Sequence, residues 1–134
     1  MCALIPKADV EKIVGAVGEA EGSSLSGLGA NCLYFAPSGE GGALAKLEFN
    51  IFKWTAVESL TANRSGNPPP PNDCTIGGRP AICLDAYTFQ DLDNDATVWV
   101  KLGSDTDPAL YTSSSVGISQ AKALAELAYA NLEK

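Results

Sequence analysis

The stretch CTIGGRPAIC covers residues 74–83. It has a cysteine at each end and the pair Gly77-Gly78 near its middle, and two glycines permit a tight hairpin turn. Folding back symmetrically places Cys74 directly opposite Cys83 on antiparallel strands, within disulfide range. The stretch therefore predicts a β-hairpin closed by a disulfide.

The loop of this hairpin depends on its proline. Pro80 has no N–H to give to a strand partner. We therefore expect a four-residue loop over 77–80, centred between Gly78 and Arg79, rather than a two-residue turn.

Four cysteines in all, at positions 2, 32, 74 and 83, allow three pairings. Hairpin geometry favours Cys74–Cys83, which leaves Cys2–Cys32 to join the start of the first helix to the first strand. Two disulfides indicate an oxidising, extracytoplasmic compartment. The alternative is a cytosolic protein with four buried, reduced thiols.

Composition restricts the chemistry. The chain has no histidine, so Ser-His-Asp and Cys-His nucleophilic sites and mixed Cys/His zinc sites are excluded. The cysteines are too far apart for a Cys₄ zinc site or a thioredoxin-like pair. We predict no catalytic residue, no metal and no cofactor. The ligand-binding residues stay unknown at this point.

A net charge of −7 disfavours nucleic acid and anionic membranes, and suits a basic partner, a cationic ligand or plain solubility. No apolar run approaches the ~20 residues of a membrane span. Cys2 could instead be the lipidated first residue of a bacterial lipoprotein, but a helical sequence follows it at once. We expect membrane attachment only through a lipid anchor upstream of Met1.

Hydrophobic periodicity predicts an α+β fold. Helical patterns cover 6–15 and 119–134, the second with Ser119 as its cap and an apolar stripe. A third helix, predicted over 55–63 with a capping box between Thr55 and Glu58, lies between the strand pairs. The small residues at 18–30 predict a loop. Strands are predicted over 31–35, 43–52, 80–89 and 96–102, with a fifth within 105–116; the stripe comprises Ala121, Leu124, Ala125, Ala128 and Leu132.

The predicted element order is α-β-β-α-β-β-(β)-α, an antiparallel sheet of four to five strands with helices packed on it. One globular domain over residues 1–134 accommodates this order. A proline-rich internal loop at 64–73 interrupts regular structure and acts as a stiff spacer.

Three groups of residues could carry chemistry. Asp91, Asp93 and Asp95 alternate as calcium ligands do, but Ala96 and Leu102 stand where an EF-hand needs Gly and Glu, which excludes an EF-hand. A looser calcium site and an Asp/Asn-rich hairpin turn are the two remaining interpretations. The acidic pairs are expected to lie in solvated loops, and the aromatic residues to pack in the core. The pairs are Glu19/Glu21 and Asp105/Asp107, and the aromatic candidates are Trp54, Trp99, Tyr34 and Tyr87.

The start CALIPKADVEKIVG (2–15), the segment NCLYF (31–35) and the later IGGRPAICLDAYTF, ATVWVKLG and AKALAELAYANL resemble small envelope lipoproteins and secreted proteins of bacteria, often actinobacteria. Those proteins begin Cys-x-Leu-Leu and continue to Cys-x-Tyr. The resemblance implies an α+β domain outside the cytoplasm, tethered by an upstream lipid. The chain departs from the pattern at Ile5-Pro6 and in its second cysteine pair.

These observations predict a non-enzymatic extracytoplasmic binding module for a protein partner or a small apolar ligand. The alternative is an acidic inhibitor or immunity protein that blocks a basic enzyme such as a cell-wall hydrolase. A binding module predicts an apolar concavity lined by phenylalanine, tyrosine and tryptophan side chains. An inhibitor predicts an exposed acidic loop and salt-sensitive association.

Overall fold

A computed structural model describes residues 2–25, 29–39, 43–57, 72–87 and 95–133. A 3₁₀ turn (Cys2–Leu4) and an N-terminal helix (Lys7–Val14) precede the strands, and a C-terminal helix (Ile118–Leu132) follows them. The strands are β1 (Glu21–Leu25), β2 (Gly29–Tyr34), β3 (Ala45–Lys53), β4 (Asn72–Ile76), β5 (Arg79–Tyr87), β6 (Asp95–Lys101) and β7 (Pro108–Ser114).

All seven strands form one antiparallel sheet in the order β1-β2-β3-β7-β6-β5-β4. Two meanders, β1-β2-β3 and β4-β5-β6-β7, meet where β3 pairs with β7. The expected α+β class is confirmed, but the strand count of four to five is too low. The order also differs, because three strands precede the helical turn at 54–57 and four follow it.

One strand, β1, carries little sequence signal, and another, β4, begins earlier than predicted. The loop predicted over 18–30 is wrong, because Glu21–Leu25 pair with β2. Its glycine and serines lack an apolar alternation, so this strand is specified by its neighbour rather than by its own pattern. β4 begins at Asn72, inside the proline-rich loop predicted at 64–73, and the rest of that loop lies outside the described residues.

The hairpin turn is shorter than its sequence predicts. Ile76 pairs with Arg79, so the turn consists of Gly77 and Gly78 alone. Their φ angles of 57° and 80° are the left-handed pair that a type I′ turn requires. The four-residue loop over 77–80 is therefore wrong.

Pro80 is tolerated because its missing N–H does not face β4. Backbone groups alternate between the two neighbours of a strand, so Pro80 is directed away from β4, toward Lys101 of β6. There the side chain of Arg79 replaces the missing donor, because its Nε donates to the Lys101 carbonyl oxygen at 3.0 Å.

The hairpin disulfide (Cys74–Cys83) is present, with a register two residues from the expected one. Cys74 pairs with Ala81 rather than with Cys83. The bridge consequently joins diagonal neighbours on one face of the hairpin, whose Cα atoms are 6.1 Å apart.

The main core lies between the sheet and both helices. The C-terminal helix contributes four fully buried residues of its predicted stripe, whereas Leu132 is 40% exposed. The helix begins at Ile118, and no side chain caps it, so Ser119 is not its cap. Thr112 Oγ1 ties it to β7 by donating to the Ala121 carbonyl oxygen at 2.8 Å.

The N-terminal disulfide (Cys2–Cys32) fastens the first residues to β2, as predicted. Two further bonds hold the same segment. Tyr34 Oη donates to the Ile5 carbonyl oxygen at 2.7 Å, and Asn131 Nδ2 donates to that of Leu4 at 2.9 Å. Because the bridge uses the Cys2 sulfur, that atom cannot carry a thioether-linked lipid in this structure.

Candidate functional site

A second hydrophobic cluster lies on the sheet face opposite the helices, and we call it the aromatic face. Its buried members come from β5, β6, β7 and the helical turn at 54–57, and Tyr111 packs against them. They are Trp54, Val57, Ile82, Trp99 and Ala109.

Trp99 and Tyr111 form the centre of the aromatic face. They are directly paired across β6 and β7, so their side chains project from the same side of the sheet. Their ring centroids are 5.1 Å apart and the planes are inclined by 53°, an arrangement that favours aromatic attraction. Trp99 is buried, whereas Tyr111 is partly exposed.

The helical turn at 54–57 is fixed in place by the loop between β6 and β7. Trp54 N donates to the Asp107 carbonyl oxygen at 3.1 Å, and Thr55 N donates to that of Asp105 at 3.0 Å. The first N–H groups of a helix lack partners within it, and here the loop supplies them. The predicted Thr55 cap is wrong because the turn begins at Trp54, and Glu58 lies outside the described residues.

A charged pair borders the aromatic face on β3. Lys46 Nζ lies 5.9 Å from the centroid of the Tyr111 ring and 3.1 Å from Glu48 Oε1. The Lys46 and Glu48 side chains are 31% and 18% exposed, so this is a partly accessible edge. The ammonium group over the ring adds a weak cation–π attraction.

A buried hydroxyl on this face lacks a partner. Thr97, two residues before Trp99 on β6, is 2% exposed, and its Oγ1 has no hydrogen-bond partner among the residues that the structure describes. Its paired residue, Ser113 of β7, is equally buried. An unsatisfied buried hydroxyl is costly, and such groups commonly receive a water molecule or a ligand atom.

Of the three aromatic candidates whose side chains the structure describes, two lie together. Trp54 and Trp99 lie on the aromatic face, but Tyr34 lies in the main core, and the side chain of Tyr87 is outside the described part. Burial and the nearby charge of Glu19 raise the pKa of Tyr34. Sequence reasoning missed Tyr111, because its pairing with Trp99 requires the β6–β7 register.

The acidic candidates have structural roles. Lys7 Nζ donates to Glu19 Oε1 at 3.1 Å, and this hydrogen bond and the negative charge of Glu19 raise the pKa of Lys7. Lys101 Nζ donates to Asp105 Oδ1 at 2.6 Å, and Asp107 Oδ2 accepts from Ser104 N. Neither predicted pair therefore forms an isolated carboxylate couple. Glu21 is exposed at the start of β1.

The calcium candidate lies mostly outside the described residues: Asp91 and Asp93 do, and so does the side chain of Asp95. Among the residues the structure does describe, no cluster of three metal-ligating side chains occurs. Cys2, Cys32, Cys74 and Cys83 are all in disulfides.

Comparison of the chain with known protein families, characterised proteins and solved structures finds no match. None of the helices in the described ranges is long and apolar enough to cross a membrane.

Proposed function

We propose that the protein is a non-enzymatic binding module of an extracytoplasmic compartment, and that its aromatic face takes a small, neutral, largely apolar ligand. The two disulfides support the compartment, since such bonds persist where the surroundings are not reducing. The aromatic face supports the ligand class, because ligand sites combine aromatic walls with few polar groups.

The observation that carries the proposal is the Thr97 hydroxyl, which has no hydrogen-bond partner in the described part of the chain, beside an aromatic pair. Thr97 is the diagonal neighbour of Tyr111 across β6 and β7, and such neighbours have Cα atoms about 7–8 Å apart. A ligand stacked on the partly exposed Tyr111 ring would extend toward this hydroxyl. One hydrogen-bonding atom on an apolar body satisfies both features.

Fluorescence tests this proposal without a known ligand. Trp54 and Trp99 are the only tryptophans of the chain, so energy transfer from tryptophan to a bound dye reports on this face. Nile red, a neutral apolar dye, is the probe. We expect saturable transfer that Tyr111→Ala weakens by about tenfold and Tyr111→Phe preserves.

Tyr129→Ala is the matched control. Tyr129 packs against the main core, on the helix side of the sheet. Circular dichroism first shows that the Tyr129→Ala variant is folded. This variant should then bind Nile red with the affinity of the unsubstituted protein. Absence of dye binding, or equal weakening by both alanine variants, would refute the ligand proposal.

The acidic inhibitor is a second candidate, favoured by the loop between β6 and β7. Ser104–Asp107 are exposed, and hydrogen bonds within the loop and to the turn at 54–57 fix them. Such a preformed acidic loop suits a basic enzyme. Association with a basic lysozyme should weaken with salt and with Asp105→Asn, but not with Glu126→Gln on the C-terminal helix. Salt-independent association, or none, would reject this candidate.

A further inference from the structure

We infer that the outer edge of β1 binds an extended, basic segment of a partner protein by adding it to the sheet as an eighth strand. This surface is separate from the aromatic face and goes beyond the proposed ligand site. The inference rests on the backbone direction of β1, on the contrast between the two sheet edges and on the charge beside β1.

The direction of the β1 backbone follows from two hydrogen bonds of its neighbour. Leu44 N donates to the Tyr34 carbonyl oxygen at 2.8 Å on the β3 side, and Gly18 N donates to that of Phe35 at 2.9 Å on the β1 side. Backbone groups alternate along a strand, so Leu33 and Asn31 also face β1.

The backbone N–H and C=O groups that point outward from β1 are therefore those of Gly22 and Ser24. Leu33 and Asn31 pair with Glu21 and Ser23, whose backbone groups are used toward β2. Those of Gly22 and Ser24 point the other way. Within the described residues, no strand pairs with that side of β1, which ends the sheet.

The two sheet edges differ in their protection. Four consecutive prolines, 68–71, directly precede β4, and proline opposes further strand pairing. Residues 13–36, which include β1, contain no proline, lysine or arginine, the residues that usually block an edge. Of the two described edge strands, β1 is therefore the one with no proline, lysine or arginine next to it in the sequence.

Charge indicates which partner fits this edge. Glu21 is exposed on β1, and the Glu19 side chain is 91% exposed. Its ion pair with Lys7 is a surface contact that a partner's lysine can exchange at little cost. With a net charge of −7, two copies of this chain repel each other, whereas a segment with basic residues at alternate positions is attracted.

A short synthetic peptide in which lysine alternates with valine tests the inference, with its glutamate-for-lysine counterpart as the control. We expect amide chemical-shift changes at Gly22 and Ser24, and an affinity that falls with salt. Ser24→Pro removes an outward donor without touching the β2 ladder and should weaken binding about tenfold, whereas Ser24→Ala should not. Glu21→Lys, an exposed substitution that leaves folding intact, should also weaken binding.

Three results would overturn the inference. One is equal binding of the glutamate peptide, or no binding of either peptide. The second is binding that Ser24→Pro and Glu21→Lys both leave unchanged. The third is self-association of the unliganded chain that Ser24→Pro abolishes, which would make a second copy the occupant. Nile red binding is measured separately, so failure here leaves the aromatic face unaffected.

Discussion

Thr97 and Thr112 provide a matched pair whose replacement by valine should have opposite effects on stability. Both are buried and lie on adjacent strands, but on opposite faces of the sheet. Thr97 Oγ1 finds no hydrogen-bond partner within the described ranges, whereas Thr112 Oγ1 donates to the Ala121 carbonyl oxygen. Valine keeps the branched shape and strand preference of threonine.

The magnitudes follow from the cost of the hydroxyl group. An unsatisfied buried polar group costs about 1–3 kcal/mol, and the added methyl group contributes roughly 0.8 kcal/mol less any crowding. With the methyl gain and the crowding roughly offsetting each other, Thr97→Val should therefore raise the free energy of unfolding by about 1–3 kcal/mol. Thr112→Val loses a hydrogen bond and should lower it by about 1 kcal/mol.

Urea unfolding measures both effects, with an unchanged slope showing that only stability has altered. If Thr97→Val is destabilising, the Thr97 hydroxyl of the unsubstituted protein already has a hydrogen-bond partner. It is then not available to a ligand, which would count against the proposed ligand site. Thr97→Val should also weaken Nile red binding if the dye's polar atom uses that hydroxyl.

Three further effects should be measurable by the same method. Gly77→Ala should cost at least ~1 kcal/mol more than Gly78→Ala: both have positive φ, but only at Gly77 does a new Cβ meet the Tyr129 ring. Replacing both cysteines of the hairpin disulfide by alanine should cost about 2.6 kcal/mol of stability, and the same change at the N-terminal disulfide about 3.6 kcal/mol, because the bridges close loops of 9 and 30 residues. Equal losses would contradict an origin in the chain entropy of the unfolded state. Burial raises the pKa of Tyr34 in the folded protein. The contribution of Tyr34 to the free energy of unfolding is therefore complete below the pKa of tyrosine in the unfolded chain, about 10, and declines above it. Tyr34→Phe, which leaves the Ile5 carbonyl oxygen without this donor, should remove that decline; an unchanged pH profile would disprove it.

Local patterns predicted the parts of the fold that depend on local physics. The apolar residues at helical spacing that begin at Val10, and the stripe from Ala121 to Ala128, correctly indicated helices. An amphipathic helix needs only one apolar surface to pack against, so its own sequence pattern is sufficient to predict it. The hairpin disulfide was also predictable, since both cysteines and the Gly-Gly turn lie within ten residues of sequence.

The errors arose where a residue depends on a distant strand. Pro80 suggested a longer loop because the Arg79 side chain that compensates for it acts on Lys101, in another strand. β1 has no pattern of its own and exists through β2. The aromatic face needs the β6–β7 register before Trp99 and Tyr111 can be paired, so the candidate site could be predicted only in part.

The most direct test of the central claim, a disulfide-stabilised binding module outside the cytoplasm, is the intact mass of the protein purified from its natural source after alkylation of free thiols, with and without prior reduction. Two disulfides require a mass lower by four hydrogen atoms than that of the fully reduced chain, and no alkylation before reduction. Four alkylated cysteines without reduction would contradict this claim and place the protein in a reducing compartment.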